Sequence, residues 1–179
     1  MQKKKNFLKI VILGDSGVGK TTLLQQYLNG KTTGQSKPTI GADFSKKEIL
    51  IDNTVVTLQI WDTAGQEKFQ SLGYAFYRGA DCCALCYDIT NQQSFEALGR
   101  WRDGFNENAG PQDPQTFPFV CIGNKLDQEA ERQVATARGQ QWARENNNML
   151  FYETSALDGT SVEEAFLEMA KAALKRDAE

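Results

Sequence analysis

Gly14-Asp15-Ser16-Gly17-Val18-Gly19-Lys20-Thr21 follows the pattern G-x-x-x-x-G-K-T. Glycines at these spacings let successive backbone N–H groups curl around anionic oxygens. A lysine in this position reaches β- and γ-phosphates, and the hydroxyl after it is a hard ligand for Mg²⁺. Ser16, Gly17, Val18, Gly19, Lys20, Thr21 and Thr22 are therefore candidate phosphate-binding residues, and Thr21 is also a candidate metal ligand. The pattern carries this chemistry only between a strand and a helix, where the helix N-terminus adds partial positive charge. That context is present. Phe7 to Leu13 is an apolar run suited to a buried strand, and Thr21 to Leu28 has apolar residues at helical spacing.

Asn124-Lys125-Leu126-Asp127 follows a second buried-strand pattern, Phe119 to Gly123. Ligands of doubly wound sheets bind at the carboxyl ends of strands. A carboxylate there accepts two hydrogen bonds from the N1–H and 2-amino group of guanine, a donor pair that adenine lacks. A third segment, Asp62-Thr63-Ala64-Gly65-Gln66-Glu67, follows the alternating run Val55 to Ile60. Asp62 is placed to hold magnesium through water, Gly65 to bring a backbone N–H to a γ-phosphate, and Gln66 to orient an attacking water.

These segments need a scaffold, and 179 residues suffice for one domain with a sizeable core. The net charge of −3 argues against nucleic acid as a partner. There is no histidine, which excludes histidine triads, histidine-ligated metals and imidazole switching. No signal peptide or membrane-spanning run is evident, and Lys3-Lys4-Lys5 reads as a solvated end. Cys83 and Cys86 match C-x-x-C, but they lie in an expected strand from Asp81 to Tyr87. Residues three apart on a strand point to opposite faces, so the pair cannot share a metal. With Cys82 and Cys121 they are expected to be buried, reduced core thiols, which suits a cytosolic setting.

The remaining pattern alternates strands and helices. Strands are expected near 43–51 and 54–61 around an Asp52-Asn53 turn, as an antiparallel pair. One helix is expected from Gln92 to Asn108, with Phe95, Leu98, Trp101, Arg102 and Phe105 on its inner stripe. Ala109 to Pro118 reads as a loop, and further helices are expected at 133–146 and 161–174. The last has Val162, Ala165, Phe166, Met169, Ala170 and Ala173 on its inner face.

With these motifs in hand, the chain resembles small Ras-like GTPases, and among them the Rab family. The resemblance rests on the phosphate loop, on Asn124-Lys125-Leu126-Asp127, and on Pro38 to Phe44, Trp61 to Glu67 and Phe76 to Asp81. Phe69 to Gly73, Gly79 to Cys83, Trp101-Arg102-Asp103, Asp113-Pro114, Phe117 to Val120 and Arg132-Gln133-Val134-Ala135-Thr136 resemble the late-endosomal and lysosomal Rab subclass. The resemblance implies a P-loop NTPase fold: α/β, a six-stranded mainly parallel sheet with one antiparallel strand, and helices on both faces. It implies GTP and GDP as ligands, Mg²⁺ held by Thr21, Thr39 and, through water, Asp62, and γ-phosphate contacts from Thr39 and Gly65. Guanine would be bound by Asn124, Lys125, Asp127, Ser155, Ala156 and Leu157.

Two loops, Gly30–Gly41 and Thr63–Arg78, would order and release with the γ-phosphate. Phe44, Trp61 and Phe76 would form an effector patch. Implied partners are an exchange factor, a GTPase-activating protein, a GDP-dissociation inhibitor and GTP-dependent effectors. No arginine here is an evident finger, so the activating protein would supply one, worth roughly 10³–10⁵ in rate. A monomer is expected, acting in vesicle trafficking at the cytosolic face of late endosomal and lysosomal membranes. Membrane attachment would come through a lipidated tail beyond Glu179. The chain departs from the family at Thr32, where an aromatic ring often covers the base, and at Leu157, where lysine is usual. Loss of the ring is expected to speed nucleotide release about ten- to a hundredfold. A nucleotide-gated scaffold with negligible hydrolysis is the alternative, weighed down by the intact Gln66. A P-loop kinase or ATPase is a further rival, weighed down by the 124–127 motif.

Overall fold

The computed structural model describes residues 6–29, 44–62, 76–111 and 113–178. Among the described residues, six strands and the helices that connect them follow in chain order. They are β1 (Phe7–Leu13), α1 (Lys20–Asn29), β2 (Phe44–Ile51), β3 (Thr54–Asp62), β4 (Cys82–Asp88), α2 (Gln92–Glu96), α3 (Leu98–Ala109), β5 (Phe119–Asn124), a 3₁₀ segment (Leu126–Glu131), α4 (Thr136–Glu145), β6 (Leu150–Glu153) and α5 (Val162–Ala178). The sheet order is β2-β3-β1-β4-β5-β6. β3, β1, β4, β5 and β6 are parallel neighbours, and β2 alone runs antiparallel. The expected six-stranded α/β architecture is therefore present.

The apolar runs become central strands because both sheet faces are covered. All seven residues of β4 and all six of β5 are buried. Alternate residues divide between two cores. Leu8, Ile10, Ile12, Cys82, Ala84 and Cys86 pack under α1 and α5. Val11, Leu13, Cys83, Leu85 and Tyr87 pack with Phe95, Leu98 and Phe105 of α2 and α3 on the other face. All six inner-face residues expected on the last helix are buried there, and Phe166 stacks on Tyr27 of α1 at 4.0 Å between ring centroids. The β2–β3 hairpin closes on Asp52 and Asn53, both at positive φ, the twist that a tight hairpin turn requires.

The structure corrects two helices. The single helix expected from Gln92 is interrupted at Ala97. Asn91 caps α2 by accepting from the N–H groups of Gln93 and Ser94, and the Ser94 hydroxyl donates back to the carbonyl of Asn91 at 2.7 Å. At the interruption the Ala97 N–H is shared between the carbonyls of Gln93 and Phe95. The helix expected from Gln133 begins at Thr136 instead. Arg132 and Ala135 are extended, at ψ 133° and 145°, and the N–H groups of Gln133 and Val134 between them donate to the carbonyl of Ile89 at 2.7 and 3.0 Å, so the chain takes a helical path only from Thr136. The intervening 3₁₀ segment had no counterpart in the sequence reading.

Cys82 and Cys86 face one core and Cys83 and Cys121 the other, all four of them free and buried. Burial pushes every thiol upward, Cys86 to about 12 from an ordinary 9.0. These thiols stay protonated in the fold where they would ionise in the unfolded chain. Above pH 9 the unfolded chain therefore binds fewer protons, and stability falls as pH rises. Ellman's reagent at pH 8 should label none of the four in the native protein and all four in denaturant. Urea midpoints should drop between pH 8.5 and 10.5; a flat profile would contradict buried thiols.

Candidate functional site

Three chain segments meet at the carboxyl ends of β1, β4 and β5. The first turns from β1 into α1. A Cβ at Gly14 would lie 2.4 Å from the carbonyl oxygen of Cys86 on β4, so only glycine lets the chain leave β1 that close to its neighbour. Gly17 and Gly19 both sit at positive φ, +88° and +92°. Lys20 is buried, and its Nζ donates to the carbonyls of Gly14 at 2.7 Å and Asp15 at 3.0 Å. The ammonium group thus lies across the mouth of its own loop. Ser16, Gly17, Thr21 and Thr22 are exposed on the open side of this loop. No acidic residue stands in the first turn of α1, so the helix terminus keeps its attraction for anions.

Thr21 Oγ1 donates to Asp62 Oδ2 at 2.7 Å. A helix start and a strand end 41 residues apart are thereby joined by two oxygen groups beside the phosphate loop. Hydroxyl and carboxylate are hard donors, the set that suits Mg²⁺ rather than a softer metal. The donor set fits the implied cation.

Asn124 closes β5 and is almost wholly buried. Its Nδ2 donates to the carbonyl of Val18 at 3.0 Å, and its Oδ1 accepts from Thr154 Oγ1 at 3.0 Å. One amide therefore ties the phosphate loop to the segment after β6. A Cβ at Gly19 would stand 2.6 Å from Asn124 Nδ2, so this glycine is the space the amide occupies. Lys125 adopts a left-handed conformation, and its ammonium pairs with Asp88 Oδ2 at 3.0 Å. Asp127 is exposed, with Oδ1 accepting from the Ser155 hydroxyl at 2.8 Å. Ser155 and Thr154 are buried, whereas Leu157 is 76% exposed. The backbone N–H of Leu126 donates to Thr154 O at 2.9 Å, which fixes the segments after β5 and β6 against each other.

Most sequence-derived candidates therefore converge. Thr39, Gly65, Gln66 and Thr32 lie outside the described residues, as does the segment 30–43 and all of Thr63–Arg78 before residue 76. Phe44 and Trp61 face each other across the β2–β3 ladder with rings 5.1 Å apart, and Phe76 meets Trp61 edge-on at 5.8 Å. Phe44 and Trp61 are half-buried, but Phe76 is only 3% exposed and also packs on Tyr77. Its truncation would open a cavity costing about 3–5 kcal/mol, so it is anchored in the core rather than displayed.

Several participants escaped the sequence reading. Asp88 holds Lys125, and its position at a strand's carboxyl end is the same signal that singled out Asp62 and Asn124. Trp101, read as a core residue, donates from Nε1 to Asp15 Oδ1 at 2.9 Å and so links α3 to the phosphate loop. Thr154 carried no sequence signal, because its role exists only once Asn124 is beside it.

Comparison with known families matches residues 9–175 to the Ras family. The chain belongs to that family. It is 57% identical to the Ras-related protein Rab-7b of Paramecium octaurelia over 175 residues, covering 98% of this chain and 85% of the relative. Identity is also 57% to Rab-7a of Dictyostelium discoideum over 173 residues, 97% of this chain and 85% of that protein. Rab7 of Drosophila melanogaster is 57% identical over 177 residues, 99% of this chain and 85% of that one. The chain is thus a Rab7-like small GTPase that binds GTP and hydrolyses it to GDP. Membership disfavours the scaffold reading and the kinase or ATPase reading alike. It also brings, in general terms, guanine nucleotides as ligands and regulators and effectors as partners.

The two phosphate-loop glycines should respond differently to alanine. Gly17→Ala meets open space and carries only backbone strain, about 1–2 kcal/mol. Gly19→Ala adds a collision with Asn124 and should destabilise by a further 1–3 kcal/mol or so while severely weakening GDP binding. Chemical denaturation and calorimetric titration of the two variants compare them. Equal losses of stability in the nucleotide-free variants would deny Asn124 its role as the tie.

Proposed function

We propose that this protein is a GTP/GDP switch of late endosomal and lysosomal transport, working at the cytosolic face of those membranes. The observation that carries the reading is the buried Asn124 amide, which holds the phosphate loop and the base-side segments in one mouth. Regulation of late endosomal trafficking accords with the 55–57% identity to Rab7 proteins and to the Ypt/Rab-type GTPase avaA of Emericella nidulans.

In this reading Ser16, Gly17, Val18, Gly19, Lys20, Thr21 and Thr22 hold the phosphates. Thr21 and Thr39 would hold Mg²⁺, with Asp62 serving it through water. Bound there, the cation neutralises charge on the β- and γ-phosphates. Asp127 accepts from guanine N1–H and the 2-amino group, while Ser155 keeps that carboxylate oriented at 2.8 Å. The Lys125 stem covers one face of the base, its head anchored by Asp88. Backbone N–H groups at Ser155 and Ala156 approach guanine O6, and Leu157 borders the base. Thr39 and Gly65 read the γ-phosphate, and Gln66 orients the attacking water. Phe44 and Trp61, backed by Phe76, present the effector surface. The partners are an exchange factor, an activating protein that supplies an arginine, a GDP-dissociation inhibitor and GTP-dependent effectors. The protein acts as a monomer.

Asp127→Asn replaces an acceptor by a mixed donor and acceptor. GTP binding should weaken by about 3 kcal/mol, roughly a hundredfold, while xanthosine triphosphate gains. Competition between the two nucleotides measures this, and an undiminished preference for GTP would remove Asp127 from the base site. Gln66→Leu should slow single-turnover hydrolysis on the order of tenfold while GTP affinity stays within about twofold. An unchanged rate would reassign the water-orienting role.

A further inference from the structure

Arg132-Gln133-Val134-Ala135-Thr136 leads from the 3₁₀ segment into α4, and nothing in the switch mechanism uses it. The structure shows where its two polar ends point. Arg132 directly follows the 3₁₀ segment that carries Asp127. Its guanidinium grips Glu153 as a fork, Nη1 to Oε2 at 2.7 Å and Nη2 to Oε1 at 2.9 Å. Nη1 also donates to the carbonyl of Val134 at 2.9 Å. The Thr136 hydroxyl reaches the same carboxylate at 3.1 Å. Glu153 is the last residue of β6, immediately before Thr154 and Ser155. The two side chains are 16% and 11% exposed, so this is a nearly buried, bidentate pair rather than a surface contact.

The 3₁₀ segment is therefore pinned at both ends to one strand exit. Asp127 holds Ser155 at its start, and Arg132 holds Glu153 at its end. Between these points the segment makes a kink at Gln128, whose φ and ψ are not helical, and none of its residues is buried. Leu126 rests on the core and its N–H donates to Thr154 O, and the more exposed remainder of the segment is held by the two polar clamps. Resting on the assignment of Asp127 and Ser155 to the guanine site, we propose that Arg132 and Glu153 are positioning residues for base recognition, which set guanine selectivity and nucleotide retention without touching the nucleotide.

Release of GDP and of inosine diphosphate, followed at fixed Mg²⁺, tests this. Inosine lacks the 2-amino group and so makes only one of the two hydrogen bonds expected at Asp127. Misplacing a recognition group by about 1 Å can cost on the order of a hundredfold. Arg132→Ala should accordingly release GDP about ten- to a hundredfold faster, with a much smaller acceleration for inosine diphosphate. The release ratio between the two nucleotides should then fall about tenfold. Glu153→Gln keeps the shape of the side chain and should shift the ratio in the same direction, which supplies a second variant should Arg132→Ala fold poorly. Arg132→Lys retains charge but not the fork, and should recover only part of the selectivity. Equal acceleration of both nucleotides, or none, would overturn the proposal and leave a purely stabilising pair. Asp127→Asn measured alongside separates the two levels. A collapsed ratio in Asp127→Asn with a parental ratio in Arg132→Ala overturns the positioning role alone. A parental ratio in both overturns the base-site assignment and the proposal with it.

Discussion

The site depends on one buried amide. Asn124 donates to the phosphate loop at Val18 and accepts from Thr154, so segments more than a hundred residues apart share a single side chain. A buried amide is costly unless its donor and acceptor are both satisfied, and here each is satisfied by a different loop. The turn after β1 and the segment after β6 are thereby tied through one side chain. Gly19 is required by the same arrangement, because any side chain there would occupy the amide's place. Thr154 is required because it completes the amide's acceptor side.

Around this amide the sheet supplies rigidity and the loops supply chemistry. β4 and β5 are buried along their whole length, so their carboxyl ends are fixed by packing on both faces. Each end projects a polar residue toward the mouth: Asp88 from β4, Asn124 from β5 and Asp62 from β3. All three make bonds to neighbouring loops, to Lys125, Val18 and Thr21 respectively. Those bonds restrain lysine, hydroxyl and carboxylate at the mouth, and such restraint lowers the ordering cost of binding. Trp101 extends the network to α3 through Asp15, giving the phosphate loop a direct connection to the helix on the sheet's other side.

The aromatic trio shows how position changes meaning. Phe44 and Trp61 are cross-strand neighbours on β2 and β3, and both are partly open to solvent. Phe76 touches Trp61 but sinks into the core beside Tyr77. Its ring serves as the base on which Trp61 rests. Composition alone does not separate these roles, since all three are large apolar rings and burial is a property of the assembled layers.

Much of this protein was legible in its sequence because the signals were local. The glycine spacing, the lysine and threonine after it, and the apolar runs on either side define a strand, a loop and a helix within about 22 residues. The β2–β3 hairpin followed from Asp52-Asn53, and the opposed cysteines followed from the two-residue period of a strand. Tertiary structure decided the rest, wherever a backbone or side-chain group was claimed by something distant in sequence. The helix expected at Gln133 starts late because the chain is extended at Arg132 and Ala135 while Ile89 O holds the N–H groups between them, and the earlier helix is interrupted at Ala97, whose N–H is shared between two carbonyls. Asp88, Thr154, Arg132 and Glu153 acquire roles only from partners 21 to 37 residues away. Local pattern reports which residues can do chemistry; only the packed sheet determines which of their hydrogen-bonding groups are already taken.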